Sequence, residues 1–432
     1  MSEYKTYPGY KIFPIKNDPA CLLKWAWSTI NMEYGTSSSC HRVQGNRIDP
    51  DNFDNFHNLP EKIKARKDMI NGQWPGNGCE YCSKVEAAGR ISDRQMTLSR
   101  HHGLDKIPPE LYVNPLATEV TPTILEIYFN NTCNLSCVYC NSAFSSKWNQ
   151  ELLKFGPVKI NDFEIPIHVT NNQRYDKMVQ DLWNYLETND RYKILRHYQL
   201  LGGESLLQKE LDSSITFWKN HPNPALTFNI ISNIMIPHEL FVEKILKFQE
   251  LVESECIYQL ELTASLDCWG PQQEYVRYGL DLDVWTKNFE YMLNKSWIKL
   301  SVHSCMTALT IKTLPELIEK ISNWSKSRPD DSPVDHSFDF VIGKEHKLNG
   351  LHPILFGPGV FDKDFEKILK VMPENNESQI TAKNQMLGLA QYVKNSSKNS
   401  QRIATLKLYL DELDRRRSTN WRTVFPWLDT VN

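Results

Sequence analysis

Two rhythms of hydrophobic and polar residues divide this chain. From residue 120 onward, short apolar runs alternate with longer stretches whose apolar positions recur at helical spacing. Residues 124–129 (Ile-Leu-Glu-Ile-Tyr-Phe) are apolar and β-branched enough for a buried strand, and 198–201, 226–231, 258–266, 298–306 and 338–342 read the same way. Between them, 175–187, 206–219, 239–253, 284–293 and 315–325 carry the helical period. Strands alternating with helices predict parallel βαβ units with right-handed crossovers, so the fold class is α/β. Six strands make a sheet or an incomplete barrel, and in both the reactive groups gather at the C-terminal ends of the strands. Residues 1–119 look irregular, punctuated by Pro, Gly, Asn and Asp, with short helical stretches such as 60–71. After about 351 come helices at 362–371, 380–393 and 401–416 and an aromatic tail with Trp421, Phe425 and Trp427. The domains predicted are therefore 1–119, 120–350 and 351–432.

Composition narrows the classes of function. The 432 residues hold 49 Lys+Arg against 52 Asp+Glu, a net charge of -3, which gives no global electrostatic case for nucleic acid or an acidic membrane. An apolar share of 41% with 12 Trp excludes a disordered chain and suits large buried surfaces. The N-terminal Met-Ser-Glu-Tyr-Lys-Thr-Tyr-Pro has no apolar signal core, and no apolar run is long enough to span a bilayer. The expected compartment is cytoplasmic. There the 10 cysteines should be thiols, and their clustering reads as metal ligation before disulfide formation. Four lie at Cys21, Cys40, Cys79 and Cys82, three at Cys133, Cys137 and Cys140, and Cys256, Cys268 and Cys305 are scattered.

Cys133-Asn-Leu-Ser-Cys137-Val-Tyr-Cys140 follows the first predicted core strand. A structural zinc site needs four ligands. Three close thiolates without an obvious fourth suit a cluster of four irons and four sulfides with one iron left open for a ligand; a zinc knuckle or incidental thiols are the alternatives. The Cys-x3-Cys-x2-Cys spacing, the preceding strand and the aromatic Tyr139 resemble the radical S-adenosylmethionine (radical SAM) superfamily. Segments at later strand ends fit in order. Gly202-Gly203-Glu204 resembles the glycine-glycine-glutamate segment that receives the methionine ammonium, and Ser232-Asn233 the ribose-contacting polar pair. Ser265 and Asp267 are similar to a ribose-binding pair, and Arg277 to a residue contacting the methionine carboxylate. By position alone Arg277 is equally a surface helix residue. Cys305 falls where apolar groups line the adenine and reads as core, and Cys268 reads as a buried thiol.

The quartet taken alone has the four ligands of a structural zinc site. The run Cys79-Glu-Tyr-Cys82, Glu86, Gly89-Arg90, Ser92-Asp-Arg94 is similar to the end of the "twitch" extension of radical SAM enzymes, which holds one auxiliary iron–sulfur cluster. Here the module precedes the core instead of following it. The resemblance implies a partial (β/α)6 TIM-like barrel with an irregular cysteine-rich N-terminal module and a helical C-terminal extension. It implies a [4Fe-4S] cluster on Cys133, Cys137 and Cys140, S-adenosyl-L-methionine as cofactor, and a second auxiliary cluster on Cys21, Cys40, Cys79 and Cys82. A 5′-deoxyadenosyl radical would remove a hydrogen atom from a substrate, with an electron supplied by a reducing partner such as flavodoxin or ferredoxin. A ribosomally made peptide or small molecule is the first reading of the substrate, and a carbohydrate, nucleotide or nucleic acid the second. A zinc-stabilised binding protein is the non-enzymatic alternative. The tract from Asp411 to Arg417 reads as a solvated helix end packed by the aromatic tail.

Overall fold

Strands that pair in parallel need a crossover between them, and the helical segments supply it. The computed structural model describes residues 19–89, 92–100, 107–169, 173–329, 331–340 and 349–431. Its strands are β1 (Trp27–Asn31), β2 (Thr36–Ser38), β3 (Asn46–Arg47), β4 (Ile124–Tyr128), β5 (Val158–Ile160), β6 (Phe163–Ile165), β7 (His197–Leu201), β8 (Asn223–Ser232), β9 (Ile257–Ser265), β10 (Ile298–Met306) and β11 (Asp335–Phe340). A nine-stranded sheet runs in the order β11-β10-β9-β8-β7-β4-β1-β2-β3, and β5 pairs with β6 in a separate hairpin. All neighbours from β11 to β1 are parallel, and β2 and β3 add antiparallel at the end.

The expectation of an irregular N-terminal segment is corrected here. Trp27–Asn31 is not a loop but a strand alongside β4, with Ile30 opposite Ile127. The helix Pro60–Ile70 holds β1 and β2 from outside: Lys62 Nζ donates to Ser28 Oγ (2.9 Å), Ser37 Oγ (2.6 Å) and the Ser38 carbonyl (3.2 Å). The segment also contains the helices Cys79–Ala87 and Asp93–Arg100.

The two faces of the sheet differ in chemistry. On one, Ile127, Leu200, Ile230, Leu262 and Leu300 form a register row that is wholly buried. Helices Tyr175–Glu187, Lys209–Asn220, His238–Glu253, Leu282–Tyr291 and Leu314–Lys326 lie between successive strands and bury their apolar stripes in the same core. On the other, the corresponding row is Thr29, Glu126, Gln199, Asn229, Glu261 and Lys299. Parallel strands usually read as continuous apolar runs because both faces are covered. Here they alternate, so one face is a polar surface.

The sheet also curls. Seven strand spacings of about 4.8 Å separate β11 from β2 in a flat sheet, roughly 34 Å in all. Yet Asp339 at the end of β11 lies within electrostatic reach of His41 and Arg42, in the loop just after β2. The polar face is therefore the concave one. Behind the ends of its strands runs the helix Ser400–Arg417, which buries Leu406, Tyr409, Leu410 and Leu413. It braces the β5–β6 hairpin through Phe163 against Tyr409 (ring centroids 5.3 Å apart) and Asn161 Nδ2 donating to Thr405 Oγ1 (2.9 Å). Among the described residues, no helix is long and apolar enough to cross a membrane.

Candidate functional site

The chain leaves β4 and enters the cysteine triplet along the ends of β7 and β8. Gly203 N–H donates to the Asn130 carbonyl (3.1 Å) and Glu204 N–H to that of Thr132 (2.6 Å). A Cβ on Gly203 would meet the Thr132 oxygen at 2.3 Å, and one on Gly202, at φ +130°, would meet the Asn130 oxygen at 2.6 Å. The two glycines thus admit the backbone that leads to Cys133, a closer neighbour than the ligand expected from the sequence. On the opposite side, Ser136 N–H donates to the Tyr278 carbonyl (3.0 Å) and Val138 N–H to that of Val276 (2.7 Å). From behind, Trp148 Nε1 donates to the Cys137 carbonyl (2.8 Å) and Tyr409 Oη to that of Val138 (2.7 Å). The triplet loop is clasped on three sides.

Burial pushes the Cys133 thiol up to about 12, with the neighbouring Cys137 adding to it. Burial likewise raises Cys140, which feels both Cys137 and Cys133. Three crowded thiols, one buried and two partly so, that repel one another as anions are stabilised as thiolates when positive metal stands among them. Among the described residues, no group of three His, Cys, Asp or Glu side chains is disposed to hold a single metal ion. A cluster of several irons and sulfides is larger than one ion and spreads its thiolates farther.

Strand-end polar groups meet on this loop. Asn233 Nδ2 lies 3.9 Å from Cys133 Sγ and donates to Asn134 Oδ1 (3.1 Å). Glu204 is buried, and both its oxygens are held: Oε1 accepts from Ser232 Oγ (2.5 Å) and Leu206 N–H (2.9 Å), and Oε2 from Asn233 N–H (2.6 Å). Burial raises its pKa against the pull of these donors. A carboxylate has about four acceptor positions, so one is left for a ligand. Between Asn233 and the next turn, Ile234 adopts φ +48°, a strained conformation for a β-branched residue.

Asp267 and Arg277, both buried, form a second unit with the partly buried Tyr139. Arg277 donates from Nε and Nη2 to the two Asp267 oxygens (2.8 Å each), Tyr139 Oη donates to Oδ2 (2.8 Å), and Cys305 N–H to Oδ1 (2.9 Å). Arg277 is not a surface helix residue: it is buried, just beyond the helix Pro271–Val276. All four acceptor positions of Asp267 are occupied by protein, while Arg277 Nη1 has no partner among the described residues. Ser265 lies on the concave face opposite His303, whose Nδ1 is 2.9 Å from Ser337 Oγ. Cys305 is corrected from core to this concave face, where it pairs in register with Asp339 and is partly exposed. Cys268 is buried, with its N–H held by Gln273 Oε1 (2.9 Å). A cavity of about 290 Å³ opens beside Tyr139 and Cys140, walled by Phe163, Ile165, His168 and Asn349. The tract at the end of Ser400–Arg417 is also corrected: Arg416 and Arg417 are buried rather than solvated, and Arg417 Nε donates to Glu151 (3.0 Å) between the rings of Trp148 and Tyr278.

The quartet is assembled by neighbouring turns. Gly78, at φ +109°, seats against the Arg42 carbonyl, which a Cβ would meet at 2.2 Å. That contact brings the first turn of Cys79–Ala87, with Cys79 and Cys82 on one face, against Cys40. The Cys40 thiol feels Cys79 and Cys82, and that of Cys21 feels Cys40; burial pushes them to about 11 and about 12. Arg42 N–H points at Cys40 Sγ (3.4 Å). Glu86 ties the rest of the run together, accepting from Ser92 Oγ (2.5 Å), Arg94 Nε (2.6 Å) and Arg94 Nη2 (2.5 Å), while Arg94 Nη1 reaches the Ala20 carbonyl (2.8 Å) beside Cys21. Arg90 lies outside the described residues.

The sequence reading passed over the charged concave row. Its signal was the polar alternate positions of Gln259-Leu-Glu-Leu-Thr-Ala-Ser265 and of Leu125-Glu-Ile. Glu126, raised by burial, accepts from Thr29 Oγ1 (2.5 Å), and Glu261 is bridged by Lys299 (2.8 Å) and Asn229 (2.9 Å).

No protein-family profile matches the chain, and no curated protein matches it in sequence. Solved structures similar to it include the following two. Native anSMEcpe with bound AdoMet and Kp18Cys peptide shares 17% identity over 57% of this chain and 57% of its own, with a TM-score of 0.31. TYW1 with a lysine-pyruvate adduct bound shares 16% over 56% of this chain and 70% of its own, with a TM-score of 0.28. The chain thus spans less than two thirds of the length of anSMEcpe, and likeness at this level does not reach the chemistry.

Proposed function

We propose that this chain is a radical SAM enzyme of twitch type, its core a partial (β/α)6 barrel. In this reading Cys133, Cys137 and Cys140 hold a [4Fe-4S] cluster, and Cys21, Cys40, Cys79 and Cys82 a second, auxiliary one. The observation that carries it is the convergence of Glu204, Ser232, Asn233 and Arg277 around a clasped loop with three thiols, Cys137 buried and Cys133 and Cys140 partly buried. The cluster, when bound, supplies the electron that splits S-adenosylmethionine into methionine and a 5′-deoxyadenosyl radical. The protein's part is to bind and orient. Glu204 offers its remaining acceptor position to the methionine ammonium, and Arg277 Nη1 its free N–H groups to the carboxylate. Asp267 acts through Arg277, fixing its plane, and Tyr139 through Asp267. Ser265 and Asn233 border the space above the concave face, where a substrate carbon would lie. The polar rows of that face favour a polar substrate, a peptide side chain or small molecule, and the curled sheet keeps water and stray hydrogen donors away from it.

The test is anaerobic reconstitution with iron and sulfide, followed by detection of 5′-deoxyadenosine. The full chain should form it with a reductant, and the chain with Cys133, Cys137 and Cys140 replaced by Ala should not. Undiminished product in the triple variant would sink the assignment.

A further inference from the structure

The turn from β1 to β2 carries Glu33, a carboxylate that its own fold leaves unanswered. Its side chain is 11% exposed, and among the described residues no donor hydrogen-bonds to it. His168 Nε2 stands 3.8 Å from Oε1, beyond hydrogen-bond distance, and 3.5 Å from Tyr34 Oη. Burial raises Glu33 to about 7 and lowers His168, so the imidazole is neutral where the carboxylate needs a cation. Tyr34 and Tyr175, which feel the charge of Glu33, are kept protonated by burial. Glu33 borders a narrow gap with Tyr128, Asn130 and Gly202, and on another side an open pocket of about 550 Å³. That pocket has apolar walls in Tyr34, Ile48 and Met178, and Arg47 and Arg174 line it as well. Arg47, on β3, is exposed and makes no hydrogen bond or ion pair among the described residues. Arg174 is 3.5 Å from Asp51, an exposed pair of little strength, and Lys177 is occupied by Asp181 and the Pro50 carbonyl. Neither arginine draws Glu33 down, so charges of opposite sign face one space without neutralising each other. Apolar walls with a few fixed polar groups are the usual form of a small-molecule site, and a carboxyl raised by burial in such a cleft is a candidate ligand contact.

We propose that this pocket binds a zwitterion of the amino-acid class, a free amino acid or short peptide, with its ammonium on Glu33 and its carboxylate on Arg47. Apolar side chains of the ligand lie against Tyr34, Ile48 and Met178. The ammonium supplies the half-buried carboxylate with the charge-assisted hydrogen bond it lacks. The contact at Arg47 is weaker because solvent screens it. No metal and no thiol takes part, so this site is independent of the cluster reading.

The experiment is calorimetric titration of the full chain at pH 7 with leucine and with leucyl-leucine. Two further probes each lack one charge: N-acetyl-leucyl-leucine the ammonium, and leucyl-leucine amide the carboxylate. The tighter of leucine and leucyl-leucine tells an amino-acid site from a peptide site. Loss of the ammonium should weaken binding by about tenfold or more, and loss of the carboxylate by about two- to fivefold. Glu33→Gln should weaken the unmodified ligand about tenfold and leave the acetylated one as it was, and Arg47→Met should weaken it about two- to fivefold and leave the amide as it was. The proton balance is a separate readout. With a pKa of about 7, Glu33 is half protonated at pH 7, and an ammonium beside it favours the ionised form. The probe's own amine, with a pKa of about 8, is already mostly charged. Binding should therefore release up to about half a proton, seen as different heats in buffers of different ionisation enthalpy. Glu33→Gln should abolish the release, as should titration at pH 8.5. No heat with either unmodified probe up to millimolar concentration overturns the proposal. So does undiminished binding of the acetylated peptide, or an unchanged affinity in folded Glu33→Gln. If Glu33→Gln fails to fold, the acetylated probe and the proton release of the unaltered chain decide alone.

Discussion

Two buried carboxylates at the strand ends have different degrees of freedom left, and each makes a prediction. Glu204 keeps one acceptor position open. If it receives the methionine ammonium, Glu204→Gln removes a charge-assisted bond of about 1.5–3 kcal/mol, and S-adenosylmethionine should bind roughly 10- to 150-fold more weakly. Calorimetric titration of the cluster-loaded variant measures it, and an unchanged dissociation constant with intact iron content would return Glu204 to a purely structural part. Asp267 has no position open. Asp267→Asn leaves the Arg277 guanidinium buried without its anion, so the chain should lose about 3–5 kcal/mol of stability in urea unfolding. Adding Arg277→Met should recover part of that loss. A single variant within about 1 kcal/mol of wild type would mean that Arg277 is hydrated in the native state. Sequence spacing located both carboxylates but not this difference, because acceptor occupancy depends on Cys305 and Tyr139, far away along the chain.

At the scale of strands and helices, legibility followed length and periodicity. The 298–306 strand and the 175–187 and 362–371 helices are found at the limits their patterns set, because each carries several periods of one rhythm. β1 escaped notice: five residues, Trp-Ser-Thr-Ile-Asn, flanked by the short helix Leu23–Ala26 and a tight turn, show too little alternation to stand out. The β5–β6 hairpin, three residues a side, was hidden for the same reason. β1 has a mechanical consequence. It covers the hydrogen-bonding edge of β4, the strand that delivers the triplet, so removing residues 1–119 should expose that edge to pairing with other chains. A chain starting at residue 120 should therefore be recovered as aggregate, as read by light scattering. A monodisperse, folded 120–432 fragment would show that β1 is dispensable.

For the molecule as a whole, acid should be the weak point. Burial holds His57 well below the ordinary histidine range, and His336 at about 3. Both are neutral in the fold at pH 6.5, whereas an unfolded chain takes up protons at each as pH falls below about 6.5. The unfolded state then binds more protons, so stability falls with decreasing pH, by up to about 1.4 kcal/mol per unit for each group. Urea midpoints measured from pH 7.5 down to 5 should decline, and His336→Gln should flatten the slope. An unaltered slope would remove His336 from the account. The brace behind the triplet bears on how the protein is made. Tyr409 fastens the loop of Cys133, Cys137 and Cys140 at Val138 from 271 residues downstream, and Arg417 holds Glu151 and Tyr278 beside it, whereas Gly78, Glu86 and Arg94 fasten the quartet from within the first hundred. During synthesis, then, the quartet's surroundings are complete early, while the triplet stays loosely held until the helix Ser400–Arg417 has left the ribosome. If both cysteine groups hold metal as proposed, the order of synthesis lets the N-terminal one load first.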